Sequence, residues 1–374
     1  MRRIGGLYEK VTSKEALLQG YLDAAKSKRG RRACLAFDRR LGTNINRLHE
    51  SLTNQTYDIK PYYQFVVHEP KRRIIHAPAF RDTVVQHAIY SAVNPIFNAG
   101  FIDQSYACRK GMGTHKAADY CQQAIRLSKP ESVLLQMDIR KFFYSIDRAI
   151  LRKLVEKKIK DKRLVDLMVK YFETTDPIGI PIGNLLSQLY ALIYLDPLDH
   201  FVKRELKCKL YCRYVDDFIL FNLSPDEAVT AQKRIEDFLL AELNLKLSKW
   251  QIRRTNSGAN FVGYRTWRSK RFIRKYCMYK FRRAAKKGNL DAVVSTLGHA
   301  RQTSSVKHLV TYLKEHHNEL HNQLPKIYRP NNNQNTHYPR GRHRALHNER
   351  HHLRVNADRL CAASGSARAD FRKH

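Results

Sequence analysis

Three carboxylates stand where chemistry is possible. Asp138 closes the apolar run Leu134-Leu135-Gln136-Met137, and Asp216-Asp217 fall where two further apolar runs, Leu210–Cys212 and Phe218–Phe221, meet. Adjacent carboxylates in a partly buried turn repel each other, and one takes up a proton unless a cation neutralises them. A hard dication is the natural partner, and a second acidic strand end at Asp138 is what a shared metal site needs. Such a set suits phosphoryl transfer to a 3′-hydroxyl, in which one ion lowers the hydroxyl's pKa and another holds the triphosphate and the leaving group. Asp138 and Asp216 would bridge two Mg2+ ions, with Asp217 assisting. Magnesium takes oxygen ligands and keeps water and substrate phosphates in its other positions, and Mn2+ is a possible substitute. Alone, Asp-Asp is also ordinary turn chemistry; the distant third acid is what argues for a site.

These acids need a sheet. Strands are predicted at Ser132–Met137, across Leu210–Phe221, at Lys246–Arg253 and at Asn260–Tyr264. A hairpin is predicted at Gln64–His68 and Arg72–His76, around Glu69-Pro70-Lys71. Apolar periodicity predicts helices at Asp82–Phe97, Thr114–Leu127, Asp147–Ile159, Asp161–Phe172, Asn184–Glu205 and Pro225–Leu243. Upstream, Thr12 with Glu15 reads as a capping box opening a helix, Lys26–Arg32 as a solvated basic loop, and Thr43–Leu52 as a second helix. Helix and basic residues continue to Leu324. From Arg329 the chain is rich in Arg, His and Asn and poor in large apolar residues, the composition of a disordered tail. There is no βαβ nucleotide fingerprint and no internal repeat.

Lys and Arg total 69 against 34 Asp and Glu, a formal net charge of +35, while apolar residues make up 43 %, enough for a folded core. That excess is relieved by a polyanion whose counterions the protein displaces, so nucleic acid is the expected partner. An anionic membrane is the rival, but no apolar run is long enough to span one, and the basic start Met1–Leu7 lacks the apolar stretch of a signal peptide. Seven scattered cysteines without a Cys-x2-Cys pair argue against a disulfide scaffold or zinc ribbon, and for a reducing compartment. Cys208 and Cys212 read as buried thiols rather than half of a metal site.

Asp138 with Phe143 five residues on, and Tyr214-Val215-Asp216-Asp217, resemble motifs A and C of reverse transcriptases. Pro181-Ile182-Gly183 through Ser187-Gln188 resembles motif B, Leu245–Ile252 with Lys249 motif D, and Phe261-Val262-Gly263-Tyr264 the primer-grip hairpin, all in the family's order over roughly Tyr57–Tyr264. Lys71-Arg72-Arg73-Ile74-Ile75 resembles the fingers hairpin, and Tyr106–Gly113 the Gly-rich second motif. The resemblance implies an α/β (α+β) fold, a right-hand polymerase with fingers, antiparallel-sheet palm and helical thumb. Its expected divisions are an N-terminal helical extension at 1–55, fingers at 56–129, palm at 130–268 with an insertion near 171–181, thumb at 269–324 and a tail at 325–374.

The resemblance also assigns roles. Ile139 joins Asp138, Asp216 and Asp217 in the metal set, and Lys249 is the acid that protonates pyrophosphate. Lys71, Arg73, Phe143, Ile182 and Gly183 meet the dNTP, with Phe143 as the gate against a 2′-hydroxyl. Arg109, Gly111, Gln188, Tyr214, Gly263 and Tyr264 meet template or primer, and basic thumb residues Lys280, Arg282, Arg283, Lys286 and Lys287 track the backbone. Read alone, Phe142 and Phe143 are core aromatics, the fingers turn a solvated basic turn, and Lys249 a surface lysine.

Most relatives carry Gln where this chain has Ile182, and the run Ile182-Gly183-Asn184-Leu185-Leu186-Ser187-Gln188 resembles the diversity-generating retroelement branch. That branch copies template adenines with errors, and its enzymes act with a small oligomeric accessory protein. The implied partners are a template RNA, a DNA or RNA primer, dNTPs and such an accessory protein, with no membrane, in a cytoplasmic setting that is bacterial, archaeal or phage-encoded. Group II intron, retron and defence-associated reverse transcriptases are alternatives, as is a non-catalytic RNA-binding protein with the same fold. His347-Asn348-Glu349 lacks the frame of a histidine nuclease and reads as part of a polyanion-binding tail.

Overall fold

Ser13, not Thr12, starts the first long helix. Thr12 ends a short helix α1 (Leu7–Thr12), and the Ser13 side chain accepts from the Ala16 amide at 3.1 Å to open α2 (Lys14–Ala25). Of two neighbouring hydroxyls, the one with extended backbone takes the cap. The computed structural model describes residues 3–68, 72–173 and 178–329, and the chain divides into two compact units at Lys270/Arg271.

In the first unit the expected basic loop is followed by a helix the sequence reading missed, α3 (Arg32–Asp38). It buries Cys34 and Phe37 at i, i+3 spacing, and Phe37 stacks on Tyr21 with centroids 5.8 Å apart. Helix α4 (Leu41–Thr53) follows. Strands β1 (Tyr63–Val67) and β2 (Arg73–Ala77) pair antiparallel from Tyr63↔Ala77 to Val67↔Arg73. The turn residues Glu69, Pro70 and Lys71 lie outside the described residues. Helix α5 (Phe80–Asn98) carries a fully buried Asp82 in its first turn, where the helix dipole favours a carboxylate; it accepts from Tyr57 Oη at 2.5 Å and the Lys60 amide at 3.1 Å.

Helix α6 (Thr114–Leu127) leads to β3 (Val133–Ile139), which is buried along almost its whole length. A short helix α7 (Phe142–Ser145), α8 (Arg148–Glu156, capped by Asp147) and α9 (Lys162–Lys170) follow. Helix α10 (Leu185–His200) is capped by Asn184, whose side chain accepts from the Ser187 amide at 2.7 Å, and is buried on nearly every side, the signature of a central helix. Strands β4 (Tyr211–Tyr214) and β5 (Asp217–Leu223) form a hairpin. Helix α11 (Pro225–Leu243) opens with a Ser224/Glu227 capping box, and β6 (Leu247–Arg254) completes the sheet. Strands β7 (Ala259–Phe261) and β8 (Tyr264–Thr266) form a hairpin over Val262 and Gly263, both at positive φ, the backbone a two-residue turn demands.

The sheet has strand order β4-β5-β3-β6, antiparallel throughout. Alternation sends Leu135, Met137, Ile139, Phe218 and Leu220 into the main core with α8, α10 and α11. Leu134, Cys212, Ile219 and Phe221 enter a second core with α6 and the β7–β8 hairpin. Both faces are covered along the middle of the strands, which is why β3 reads as an apolar run broken only by Gln136 before it reaches Asp138.

The second unit holds β9 (Arg271–Ile273) and helices α12 (Lys275–Lys286), α13 (Leu290–Ala300), α14 (Ser305–His316) and α15 (Asn318–Gln323) around buried Phe281, Val293, Leu297, Leu309 and Leu313. Helix α12 exposes Tyr276 and Tyr279, and the Lys280 ammonium lies 5.1 Å from the Tyr276 ring centre. Residues 326–328 form a 3-10 turn with Tyr328 buried. Residues 330–374, including His347-Asn348-Glu349 and Cys361, lie outside the described residues. Among the described residues, no helix is long and apolar enough to cross a membrane.

Candidate functional site

The register of three strands builds the site. Asp138 on β3 is the direct partner of Asp217 on β5 and of Lys249 on β6. Directly opposed residues of antiparallel strands point to the same face with Cβ atoms about 4.5–5.5 Å apart. Asp217, Asp138 and Lys249 therefore form a row across one face of the sheet at its end. Asp216 occupies the β4–β5 turn, and its carbonyl accepts from the Ile139 amide at 3.2 Å, tying the turn to the end of β3. All three carboxylates are half-buried and Lys249 is exposed.

Neutral donors orient the acids. Gln136, two residues before Asp138 and hence on the same face, donates from Nε2 to Asp217 Oδ1 at 2.9 Å and to the Asn260 carbonyl at 3.1 Å; Gln251 donates to Gln136 Oε1 at 3.2 Å. Ser248 Oγ donates to the Asp138 carboxylate and to its carbonyl. The turn itself is strained: Val215 sits at φ +57, a left-handed conformation costly for a β-branched side chain.

Beneath the turn lies Arg213, 1 % exposed. It donates to Asp199 at 2.7 and 2.5 Å, to Ser105 Oγ at 3.1 Å and to the Val215 carbonyl at 3.0 Å. Burial alone would lower the guanidinium's pKa, but the Asp199 carboxylate beside it raises it above the ordinary value. Sequence reading missed Gln136, Ser248, Arg213 and Asp199. The available signal was a polar residue inside an apolar strand, at Gln136 and at Arg213.

The segment before α10 is pinned beside this end of the sheet. The Ile180 amide donates to the Phe143 carbonyl at 2.8 Å, and the His76 amide of β2 donates to the Ile182 carbonyl at 2.7 Å. Gly183 has φ +119, and a Cβ there would lie 2.7 Å from Ile75 Cγ2 and 3.1 Å from the His76 carbonyl oxygen, so the approach of backbone to β2 requires glycine. Phe143 and Ile182 are half-buried, Arg73 is exposed on β2, and Gln188 is exposed on the first turn of α10. Lys71 lies outside the described residues.

Gly111 sits at φ +77 in a loop attached to β4, where the Tyr106 amide donates to the Arg213 carbonyl at 3.0 Å. Arg109 closes this loop on itself, donating to Asn98 at 2.8 Å and to the Ile102 and Ser105 carbonyls at 2.7 and 2.9 Å. These bonds tie the loop to itself and to Asn98 at the end of α5, and leave the guanidinium half-buried. The Tyr264 side chain is fully buried, with its hydroxyl 3.3 Å from His115 Nδ1, and Val262–Gly263 form the turn of the β7–β8 hairpin. Tyr214 is half-buried against the second core.

Among the described residues, no three His, Cys, Asp or Glu side chains converge closely enough to cage a metal ion unaided. The donor chemistry nevertheless fits a hard dication. Asp138, Asp216 and Asp217 offer only oxygens, with no thiol or imidazole in the row, and an open oxygen set suits an ion that keeps water and phosphate ligands.

A profile described as reverse transcriptase (RNA-dependent DNA polymerase) matches residues 67–266. Protein YkfC of Escherichia coli (strain K12) is 24 % identical over 282 residues, covering 62 % of this chain and 73 % of that protein. The group II intron-encoded protein LtrA of Lactococcus lactis subsp. cremoris is 28 % identical over 177 residues, covering 44 % of this chain and 29 % of LtrA, less than a third of its length. Among solved structures, telomerase from Candida albicans in complex with a TWJ fragment of telomeric RNA aligns with a TM-score of 0.45 at 10 % identity, covering 72 % of this chain and 57 % of that one. The fold class is the one expected, helices packed on an antiparallel sheet.

Proposed function

The chain belongs to the reverse transcriptase (RNA-dependent DNA polymerase) family, and on that premise we propose that it copies a template RNA into cDNA through the row Asp217, Asp138, Lys249 and the Asp216 turn, as the enzyme of a diversity-generating retroelement. One observation carries the catalytic reading: a single register places two acids and a lysine side by side on one sheet face, with the third acid hydrogen-bonded to the same strand end.

Asp138, Asp216 and Asp217, with Ile139, would hold Mg2+, or Mn2+ in its place. When bound, the ions supply charge neutralisation for the primer 3′-hydroxyl and the triphosphate. The protein's own groups do the rest. Gln136 and Ser248 fix the directions of Asp217 and Asp138. Lys249, on the same face as Asp138, delivers a proton toward pyrophosphate. Arg73 and Lys71 grip phosphate, Phe143 bars a 2′-hydroxyl, and the Ile182–Gly183 turn backs the incoming nucleotide. Gly111, Gln188, Tyr214 and Gly263 face template and primer, and the basic helix α12 contacts backbone phosphates.

The branch assignment rests on Ile182, an apolar residue where most relatives carry Gln; it forfeits a hydrogen bond that would help police base geometry. A small oligomeric accessory protein and a cytoplasmic setting belong to the same proposal. A group II intron-type enzyme is the second reading, favoured by the likeness to LtrA.

The test is extension of a primer on a defined RNA template with Mg2+ and dNTPs, sequencing the products beside an Asp216→Ala control. Extension abolished in the control, with errors concentrated opposite template adenines, supports the proposal. Faithful extension favours the intron-type reading, and no extension, even with accessory protein and cognate RNA, favours a non-catalytic RNA binder.

A further inference from the structure

Arg213 is absent from the chemistry described above, yet it makes a fully buried, multiply bonded ion pair. Its guanidinium is forked onto Asp199 at 2.7 and 2.5 Å, and Asp199 is locked in turn by Tyr211 Oη at 2.7 Å. Both partners are sealed from water, at 1 % and 0 % exposure. A buried pair of this kind seldom adds net stability over apolar residues of the same size, so its retention calls for another reason.

The reason lies in the remaining donors. Nη1 reaches the carbonyl of Val215 at 3.0 Å, and Nη2 reaches Ser105 Oγ at 3.1 Å. The Arg213 backbone is bound as well: its amide donates to the Gln104 carbonyl at 3.0 Å, and its carbonyl accepts from Tyr106. Arg213 is therefore fixed on both sides, by α10 through Asp199 and by residues 104–106. From that anchorage it holds the carbonyl of the one residue in the turn that is forced to φ +57. Val215 is followed directly by Asp216. A β-branched residue disfavours the left-handed region, and without an external hold the turn would relax and swing the Asp216 carboxylate away from Asp138.

We propose that the Arg213–Asp199 pair is a clamp on the Val215–Asp216 turn, making Arg213 a positioning residue for the Asp216 carboxylate. This rests on the reading that Asp216 belongs to the metal-holding set. The clamp works by geometry rather than charge: the fork must satisfy Asp199 and still present Nη1 to the Val215 carbonyl. Lysine keeps the positive charge but cannot do both, because it lacks a second nitrogen arm.

The test uses the full chain with two variants, Arg213→Lys and the neutral pair Arg213→Met with Asp199→Asn, in which Asn still accepts from Tyr211. Mn2+ is titrated by electron paramagnetic resonance in the presence of primer–template and a non-hydrolysable dNTP analogue, and steady-state extension is measured in parallel. The expected result is Mn2+ affinity weakened about fivefold or more and kcat lowered at least tenfold, with primer–template affinity within about twofold of the parent. Val215→Gly, which relieves the strained φ, should restore part of both losses when added to either variant. A merely structural role would lower the active fraction without moving Mn2+ affinity, and Val215→Gly would not repair it.

Either variant, folded by its circular dichroism, with Mn2+ affinity and kcat within twofold of the parent overturns the clamp. If the neutral pair fails to fold, Arg213→Lys decides by the same criteria, and if that also fails to fold, the pair is a folding determinant and the clamp is overturned. The underlying reading fails separately, if Asp216→Ala keeps both Mn2+ binding and extension.

Discussion

Asp138 faces Lys249 directly across β3 and β6, and the strand pairing slips by one residue immediately afterwards, between Asp138 and Ile139. The slip ends the regular β3–β6 pairing at the row that carries the acids. Because the two residues share a face, a lysine ammonium there would serve the same substrate as the carboxylates under the proposed mechanism. Lys249→Gln is expected to lower kcat by about a hundredfold, the lower end of the usual contribution of a general acid, with primer–template affinity changed less than twofold. Single-turnover extension measures it. Lys249→Arg should not rescue the rate, since guanidinium does not release its proton at neutral pH. Full rescue by Arg would reduce Lys249 to a phosphate contact.

Gly183 is the second test. A Cβ there meets Ile75 Cγ2 at 2.7 Å and the His76 carbonyl oxygen at 3.1 Å, on a backbone at φ +119. Gly183→Ala should cost about 1–3 kcal/mol of stability from backbone strain alone. It should also push the Ile182–Gly183 turn off β2, breaking the bond between the His76 amide and the Ile182 carbonyl. Thermal unfolding and dNTP KM report the two effects, and KM should rise. A neighbouring Gln188→Ala, exposed and on the helix, should leave stability within about 0.5 kcal/mol.

The elements that carry the acids were legible because their signals are local. Apolar runs ending at Asp138 and flanking Asp216-Asp217 read as strands, and Ser224, Pro225 and Glu227 mark the start of α11 residue by residue. Helix α3 was hidden by its basic neighbours, which outweighed the Cys34 and Phe37 pair that packs it. The cap at Ser13 was a choice between adjacent hydroxyls that sequence does not make. The roles of Gln136, Ser248 and Arg213 depend on which residues face each other across strands, and a shift of one residue would send every side chain to the other face. The surroundings of Tyr264 and Arg109 were out of reach for a related reason: a motif names a residue type, while burial and existing hydrogen bonds decide how many of its atoms stay available.

Asp196 offers a test by pH. It lies on α10 with its side chain 18 % exposed and His200 Nε2 3.4 Å away. Burial raises its pKa above the ordinary 3.8, and the opposing pull of His200 does not cancel it. A carboxyl whose folded-state pKa is raised stabilises the fold fully below its unfolded value and loses that contribution as pH rises through the folded value. At neutral pH the ionised group is therefore a cost, and Asp196→Asn should gain about 1 kcal/mol. The gain should shrink on acidification, as the parent carboxyl takes up its proton. Urea midpoints at pH 7.5, 6 and 4.5 follow this trend, and a gain that grew on acidification would contradict the assignment.

Under the proposed branch assignment, Ile182 would link the site to fidelity. Its carbonyl is held by the His76 amide at 2.7 Å, a backbone bond that survives any side-chain exchange, so a substitution here alters the pocket without releasing the turn. Ile182→Gln restores a side chain able to hydrogen-bond near the templating base. The expected outcome is a drop of about tenfold or more in misincorporation opposite template adenines, since a site built to hydrogen-bond its substrate rejects a mismatch by more than an apolar one can. Errors opposite the other three bases should change little, and thermal stability should stay within about 1 kcal/mol because the side chain is only half-buried. Sequencing cDNA from parent and variant on one RNA template separates the outcomes. An adenine error rate indifferent to the exchange would detach infidelity from this residue and, with faithful copying by the parent, would move the enzyme toward the intron-type branch.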